Sequence, residues 1–280
     1  MRKKSFIIIG TVLICLLSPP NISFSEVITH NDNKHPGIYV SGQYKPGISH
    51  LRKFSVKETN ATTVQLVGLN YTAAPIDDIK TSSKFDTPYT IAFQNNIISF
   101  SAAIGYSHAK GLRIELEGSY EEFDVTDPGN YTIKDAYRYF AIAREMNSSS
   151  NNQPKDKQFT VMRNDGVSIV SFMFNGCYDF PLGILEISPY ICAGIGGDFI
   201  EFFDALHIKP AYQGKLGLNY PLFSKVSLFI DGYYHKVIGQ QFKHLNVQHV
   251  VTLDTPKIAS VVATLDVSYF GGEIGMRLIF

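Results

Sequence analysis

The last ten residues, Gly271-Gly-Glu-Ile-Gly-Met-Arg-Leu-Ile-Phe280, alternate with a period of two. Stepping back from the carboxyl end, Phe280, Leu278, Met276, Ile274, Gly272 and Phe270 share one face. Ile279, Arg277, Gly275, Glu273 and Gly271 share the other. Successive side chains of a strand point to opposite faces of the pleat, so this is strand patterning with one apolar and one small or charged face. A chain that ends on such a strand, with a bare Phe last, fits a transmembrane barrel whose apolar face meets lipid and whose polar face meets the lumen. A soluble edge strand can produce the same pattern by chance, so the remaining segments decide.

Seven further stretches alternate in the same way. They are Gly37 to Tyr44, Ile98 to Tyr106, Leu112 to Tyr120, Val167 to Tyr178, Ile187 to Gly197, Ala211 to Tyr220 and Lys225 to His235. In the third, Leu112, Ile114 and Leu116 oppose Arg113, Glu115 and Glu117. The connections run long, short, long, short, moderate (Asp198 to Pro210), short, long. This beat is that of outer-membrane barrels, with short periplasmic turns, longer extracellular loops and both termini periplasmic. The fold expected is an all-β antiparallel transmembrane barrel of eight strands. Within the loops, Lys134 to Arg144 reads as a short helix, and Thr62 to Leu69, Gln158 to Arg163 and Val247 to Leu253 alternate weakly enough to extend a larger, open porin.

Aromatic placement tests this reading. On the lipid face, Tyr44, Tyr120, Tyr212, Tyr234 and Phe270 fall at the outer end, and Tyr106, Tyr178, Phe180, Tyr220 and Phe280 at the periplasmic end. Tyr212 and Tyr220 lie about 27 Å apart along a strand, or about 21 Å once tilted, close to the apolar band of a bilayer. The chain lacks Trp, and its 16 Tyr and 20 Phe take over the girdles.

The amino terminus reads as a targeting segment. Met1-Arg-Lys-Lys4, the apolar run from Phe6 to Leu17, and Ser23 and Ser25 make a secretory signal peptide over residues 1–25, with residues 26–280 as the barrel domain. Ile14 precedes Cys15 where lipoprotein processing wants a small residue, so no lipid anchor is expected. Removing Arg2, Lys3 and Lys4 takes Lys+Arg from 25 to 22 against 25 Asp+Glu, or 22 − 25 = −3, which argues against a nucleic-acid partner.

The chemistry-bearing residues fall mostly on the lumen series. Arg113, Glu115, Glu117, Lys215, Asp231, Glu273 and Arg277 point inward with mixed sign. They fit either a structural salt-bridge network, since an unpaired buried charge costs several kcal/mol, or a conduction pathway. Phe229 and Tyr233 are expected beside them. Cys177 and Cys192 fall on the same series of adjacent strands, either as a cross-strand disulfide formed in the oxidising periplasm or as two buried thiols. Ile274, Met276, Leu278 and Phe280 form the insertion signal of the closing strand. Asp204, His207 and His235 lie near the outer rim, where a barrel-embedded hydrolase would carry its site. No Ser accompanies them at a recognisable spacing, so no enzyme activity, cofactor or metal is expected. Gly-Ile-Gly-Gly197 lacks a following helix and a phosphate-loop Lys, and reads as strand packing. A soluble lipocalin-like binder would need an apolar interior, the reverse of the pattern at residues 112–117.

The assembled segments resemble the major surface antigen family of the Ehrlichia and Anaplasma group of intracellular bacteria. The resemblance rests on Gly37-Ile-Tyr-Val-Ser-Gly-Gln-Tyr-Lys-Pro46, Gly111-Leu-Arg-Ile-Glu-Leu-Glu117, Tyr137-Arg-Tyr-Phe-Ala-Ile-Ala-Arg144, Asn175-Gly-Cys-Tyr-Asp179, Pro189 to Asp198, Tyr212 to Gly217 and Tyr269 to Gly275. It implies a surface-exposed, immunodominant protein of the cell outer membrane, with pore-forming roles proposed for the family. The partners expected are outer-membrane lipid, the barrel assembly machinery, host-cell or antibody contacts through the loops, and further copies of the chain.

Overall fold

A computed structural model describes residues 36–280 apart from 76, 109, 182–186, 251–252, 256 and 258. The expected signal peptide, residues 1–25, lies outside the described residues, as does Cys15.

Eight long strands form one closed antiparallel sheet. They are β1 (Gly37–Tyr44), β2 (Phe100–Ser107), β3 (Leu112–Phe123), β4 (Val167–Asp179), β5 (Ser188–Phe202), β6 (Ala205–Phe223), β7 (Val226–Val237) and β8 (Ser268–Ile279). Each pairs with its chain neighbour, and β1 closes on β8 in a register running from Tyr39↔Ile279 to Tyr44↔Ile274. The last residue takes part: the Phe280 N–H donates to the Ile38 carbonyl at 2.9 Å. Closure matters in lipid because no water is available to satisfy a free strand edge.

The outward faces carry the apolar belt expected of them. Ile104, Leu116, Phe174, Ile195, Leu216, Ile230, Ile274 and Met276 are all exposed on the outside of the barrel. In a bilayer this exposure is burial against acyl chains. Inward-facing glycines let large side chains lie flat across the lumen. A Cβ at Gly105 would stand 2.5 Å from the Tyr39 ring, and one at Gly217 would stand 2.7 Å from that of Tyr190.

Two expectations about connections need correction. The moderate loop Asp198 to Pro210 is absent as such: β5 and β6 run on to a tight hairpin turn at Phe203-Asp204, both at positive φ (51° and 57°). Pro210 occupies a ladder position opposite Gly197, although proline has no N–H to give and normally ends a strand. The segment Lys134 to Arg144 is no helix either. Only a 3-10 turn, Ala136–Arg138, precedes the strand Tyr139–Ala143.

The three weakly alternating stretches do not widen the barrel. Gln65–Leu69, Phe159–Arg163 and His249–Val250 join Tyr139–Ala143 and Phe85–Pro88 in a separate five-stranded sheet. A three-stranded sheet of Gln241–Phe242, Val261–Asp266 and Arg52–Glu58 accompanies it. Together they make a folded cap on the long-loop end of the barrel. One core fuses the two parts: Phe123, Ile169, Ile200, Phe202, Val237 and Tyr269 from the barrel pack with Phe140, Ile142, Met162, Phe242 and Leu265 from the loops. A second core, including Val67, Leu69, Phe85, Ala141, Phe159 and Val161, lies within the cap itself.

Candidate functional site

The lumen is built by the inward half of every strand, and it is full. Stepping along β3 by two places Phe123 at the outer mouth, then Glu121, Ser119, Glu117, Glu115 and Arg113 towards the short-turn end, all buried. The seven charges expected inside are all there, at 1% to 6% exposure: Arg113, Glu115, Glu117, Lys215, Asp231, Glu273 and Arg277. Ions this far from water remain charged only if opposite charges and hydrogen-bond donors surround them.

The centre is a closed ring of four ion pairs. Lys45 Nζ lies 2.7 Å from Glu117 and 3.0 Å from Glu273, and Lys215 Nζ lies 2.7 Å and 2.9 Å from the same two carboxylates. Amides complete it. Asn175 Nδ2 donates to Glu115 (3.0 Å) and Glu117 (2.9 Å), and Gln213 Nε2 donates to Glu117 (2.9 Å) and to Asn175 Oδ1 (2.7 Å).

Below the ring, Arg113 pairs with Asp179 at 3.2 Å and Glu115 at 3.4 Å, while the Tyr39 hydroxyl donates to Glu115 at 2.6 Å. The Tyr190 hydroxyl donates to Asp231. Arg277 donates to Asn219 at 3.0 Å and sits over the rings of Tyr39 and Phe229. Cys177 and Cys192 oppose each other in the β4–β5 register, Cα atoms 4.0 Å apart, and are joined as a disulfide beside Tyr190 and Phe229. Phe229 and Tyr233 are buried in the lumen as expected.

Several lumenal groups escaped the sequence reading. Lys45, Glu121, Asp179, Asp198 and His235 are buried inside. All continue an inward series already recognised: Lys45 follows Tyr39, Ser41 and Gln43, Asp179 follows Asn175 and Cys177, and His235, expected at the rim, follows Phe229, Asp231 and Tyr233. One further step of two along each strand would have found them.

The outer-rim residues do not converge. His235 is fully buried, bonded to Asp198 at 2.8 Å and stacked on Tyr269 at 4.6 Å between centroids. Its cross-strand neighbour is Gln213, well along β6 from His207. His207 contacts the Lys243 carbonyl at 2.9 Å instead, and Asp204 sits in the β5–β6 turn. No nucleophile–base–acid arrangement joins Asp204, His207 and His235.

Above the mouth, charge fixes the cap. The Arg138 guanidinium reaches Asp124 at 2.5 Å and Asp135 at 3.1 Å. The hydrogen bond to Asp124 holds its pKa above the ordinary arginine value. Glu58 is buried against Arg144 at 2.7 Å and accepts from the Thr160 hydroxyl at 2.9 Å. Lys236 on β7 hydrogen-bonds Asp266 and holds its carboxyl below the usual range. Burial pushes the Tyr89 hydroxyl up.

A closed eight-stranded sheet with an apolar outside, a charge-filled inside and a folded cap over the long-loop end defines an outer-membrane β-barrel displayed at the cell surface. A family model for surface antigens matches residues 30–280, and the chain belongs to that family. It is 31% identical over 277 residues to major surface antigen 4 of Anaplasma marginale, covering 97% of this chain and 95% of that one. Among solved structures it is similar to the outer membrane protein OprG of Pseudomonas aeruginosa (13% identity, TM-score 0.49, 87% of this chain and 96% of that one). It is also similar to Neisserial surface protein A (13% identity, TM-score 0.39, 88% and 99%).

Proposed function

We propose that the barrel is a closed anchor and that the chain acts through its cap, which it presents for contact with host surfaces or antibodies. The observation that supports this is the sealed lumen. The Lys45–Glu117–Lys215–Glu273 ring spans the interior of an eight-stranded barrel, a size at which side chains alone fill the lumen. Porin-like diffusion would need these four pairs to part and the apolar core above them to lift. The surface role needs neither, nor any catalytic step, cofactor or metal. Insertion through the barrel assembly machinery, with the β8 row ending at Phe280 as the signal, belongs to the same reading, and oligomers are not required by it. The test is solute uptake by vesicles carrying the refolded protein, together with protease protection in intact cells. Sugar uptake no faster than through lipid alone, with cap cleavage from outside, is the expected result. Uptake at porin rates would overturn the closed-anchor reading.

A further inference from the structure

On the wall of one lumenal cavity, Asp231 and Arg277 have no ion-pair partner among the described residues, although each is buried (5% and 4% exposed). Asp231 accepts from Tyr190 through Oδ2, and its Oδ1 has no protein partner. Arg277 donates to Asn219 through Nη1, and its Nε has none. Two more buried atoms share this condition, Gln43 Oε1 and Arg113 Nη2, with their side chains 6% and 2% exposed. All four residues line one cavity of about 10 Å³.

The set of atoms limits the occupant. Two are donors, Arg113 Nη2 and Arg277 Nε, and two are acceptors, Gln43 Oε1 and Asp231 Oδ1. A halide would face the carboxylates of Asp231 and Glu115 on the same wall, and a metal cation would face Arg113, Arg277 and Lys215. A species that both donates and accepts twice fits all four. A space near 10–15 Å³ with two to four polar partners is what one ordered water needs.

We propose that a single structural water occupies this cavity, accepting from Arg113 and Arg277 and donating to Gln43 and Asp231. It thereby pairs Asp231 with Arg277 through itself. The proposal stands whether or not the barrel conducts.

The experiment is a crystal structure of the refolded protein, native and soaked in bromide, with NMR of the arginine side chains. The expected result is one peak within hydrogen-bonding distance of the four atoms, with no anomalous signal in bromide, and a cross-peak between the Arg277 Nε–H and a long-lived water. Gln43→Met, similar in length and without an acceptor, should lose both. An anomalous bromide peak there, or an Arg277 Nε–H without a water cross-peak, would overturn the proposal. The wild-type arms decide even if the variant does not refold.

Discussion

Lys215 shows how much one side chain carries here. It stands between Glu117 and Glu273 at 2.7 Å and 2.9 Å, so Lys215→Met leaves two buried carboxylates to share Lys45. Breaking a buried pair from one side costs about 3–5 kcal/mol. Urea titration of folding into vesicles should show a loss of that order for Lys215→Met. Lys225→Met, at the exposed β6–β7 turn, should change stability by less than about 0.5 kcal/mol. Asp266 offers a pH test outside the membrane. Its folded pKa is lowered by the hydrogen bond from Lys236, so its contribution is complete above the unfolded value of about 3.9 and fades as pH falls through the lowered folded value. The protection of amides in Val261–Asp266, taken relative to their intrinsic exchange rates, should fall below about pH 4 in the wild type. In Asp266→Asn it should already be lower at neutral pH, without that step. The inward charges were readable residue by residue because a strand hides one face, and period two says which. Their partners were not, because Lys45–Glu117 and Lys215–Glu273 cross the lumen between strands distant in the chain.

At the level of elements, strands solvated by lipid on one face were legible, and strands buried on both faces were not. Tyr139–Ala143 sends Phe140 and Ile142 into the core shared with the barrel and Ala141 and Ala143 into the cap core. Such a strand reads as a continuous apolar run, which periodicity cannot tell from a helix. The Phe203-Asp204 turn was hidden for a different reason. Hairpin turns with two positive φ values usually announce themselves through Asn-Gly or Asp-Gly, whereas here a buried Phe203 holds the strained position by packing on Phe202 and Phe140. The best-read element, β8, allows a test of the lipid face. Met276 lies mid-strand and outward, opposite Gly42 and Leu228. Met276→Arg should cost about 2–4 kcal/mol of membrane-folding stability, the penalty near the bilayer midplane. Met276→Leu should be close to neutral, and equal folding of the Arg and Leu variants would mean that this face does not meet lipid.

For the whole molecule the two closures act in series. The outer half of the lumen is shut by the apolar core shared with the cap, around Phe123, Ile169, Phe202 and Tyr269, and the inner half by the ion-pair ring and the residues below it. Resistances in series add, so removing either closure alone leaves the other in control. Replacing the cap loops within residues 51–92, 127–163 and 240–265 by short turns keeps all eight barrel strands and exposes the ring. Lys45→Ala with Glu117→Ala, Lys215→Ala and Glu273→Ala removes the ring and leaves the cap, with equal numbers of acids and bases taken away. In planar bilayers the wild type, the trimmed chain and the ring variant should each show no stable open level. Only the combination leaves the residues below the ring, Tyr39, Arg113, Tyr190, Phe229 and Arg277, as the remaining closure, so any open level should appear there alone and be small, within the narrow bore of eight strands. A steady open level from the trimmed chain would mean that the ring parts readily without the cap. The same level from the ring variant would mean that the cap core admits ions, and either result would return the chain to a pore-forming role.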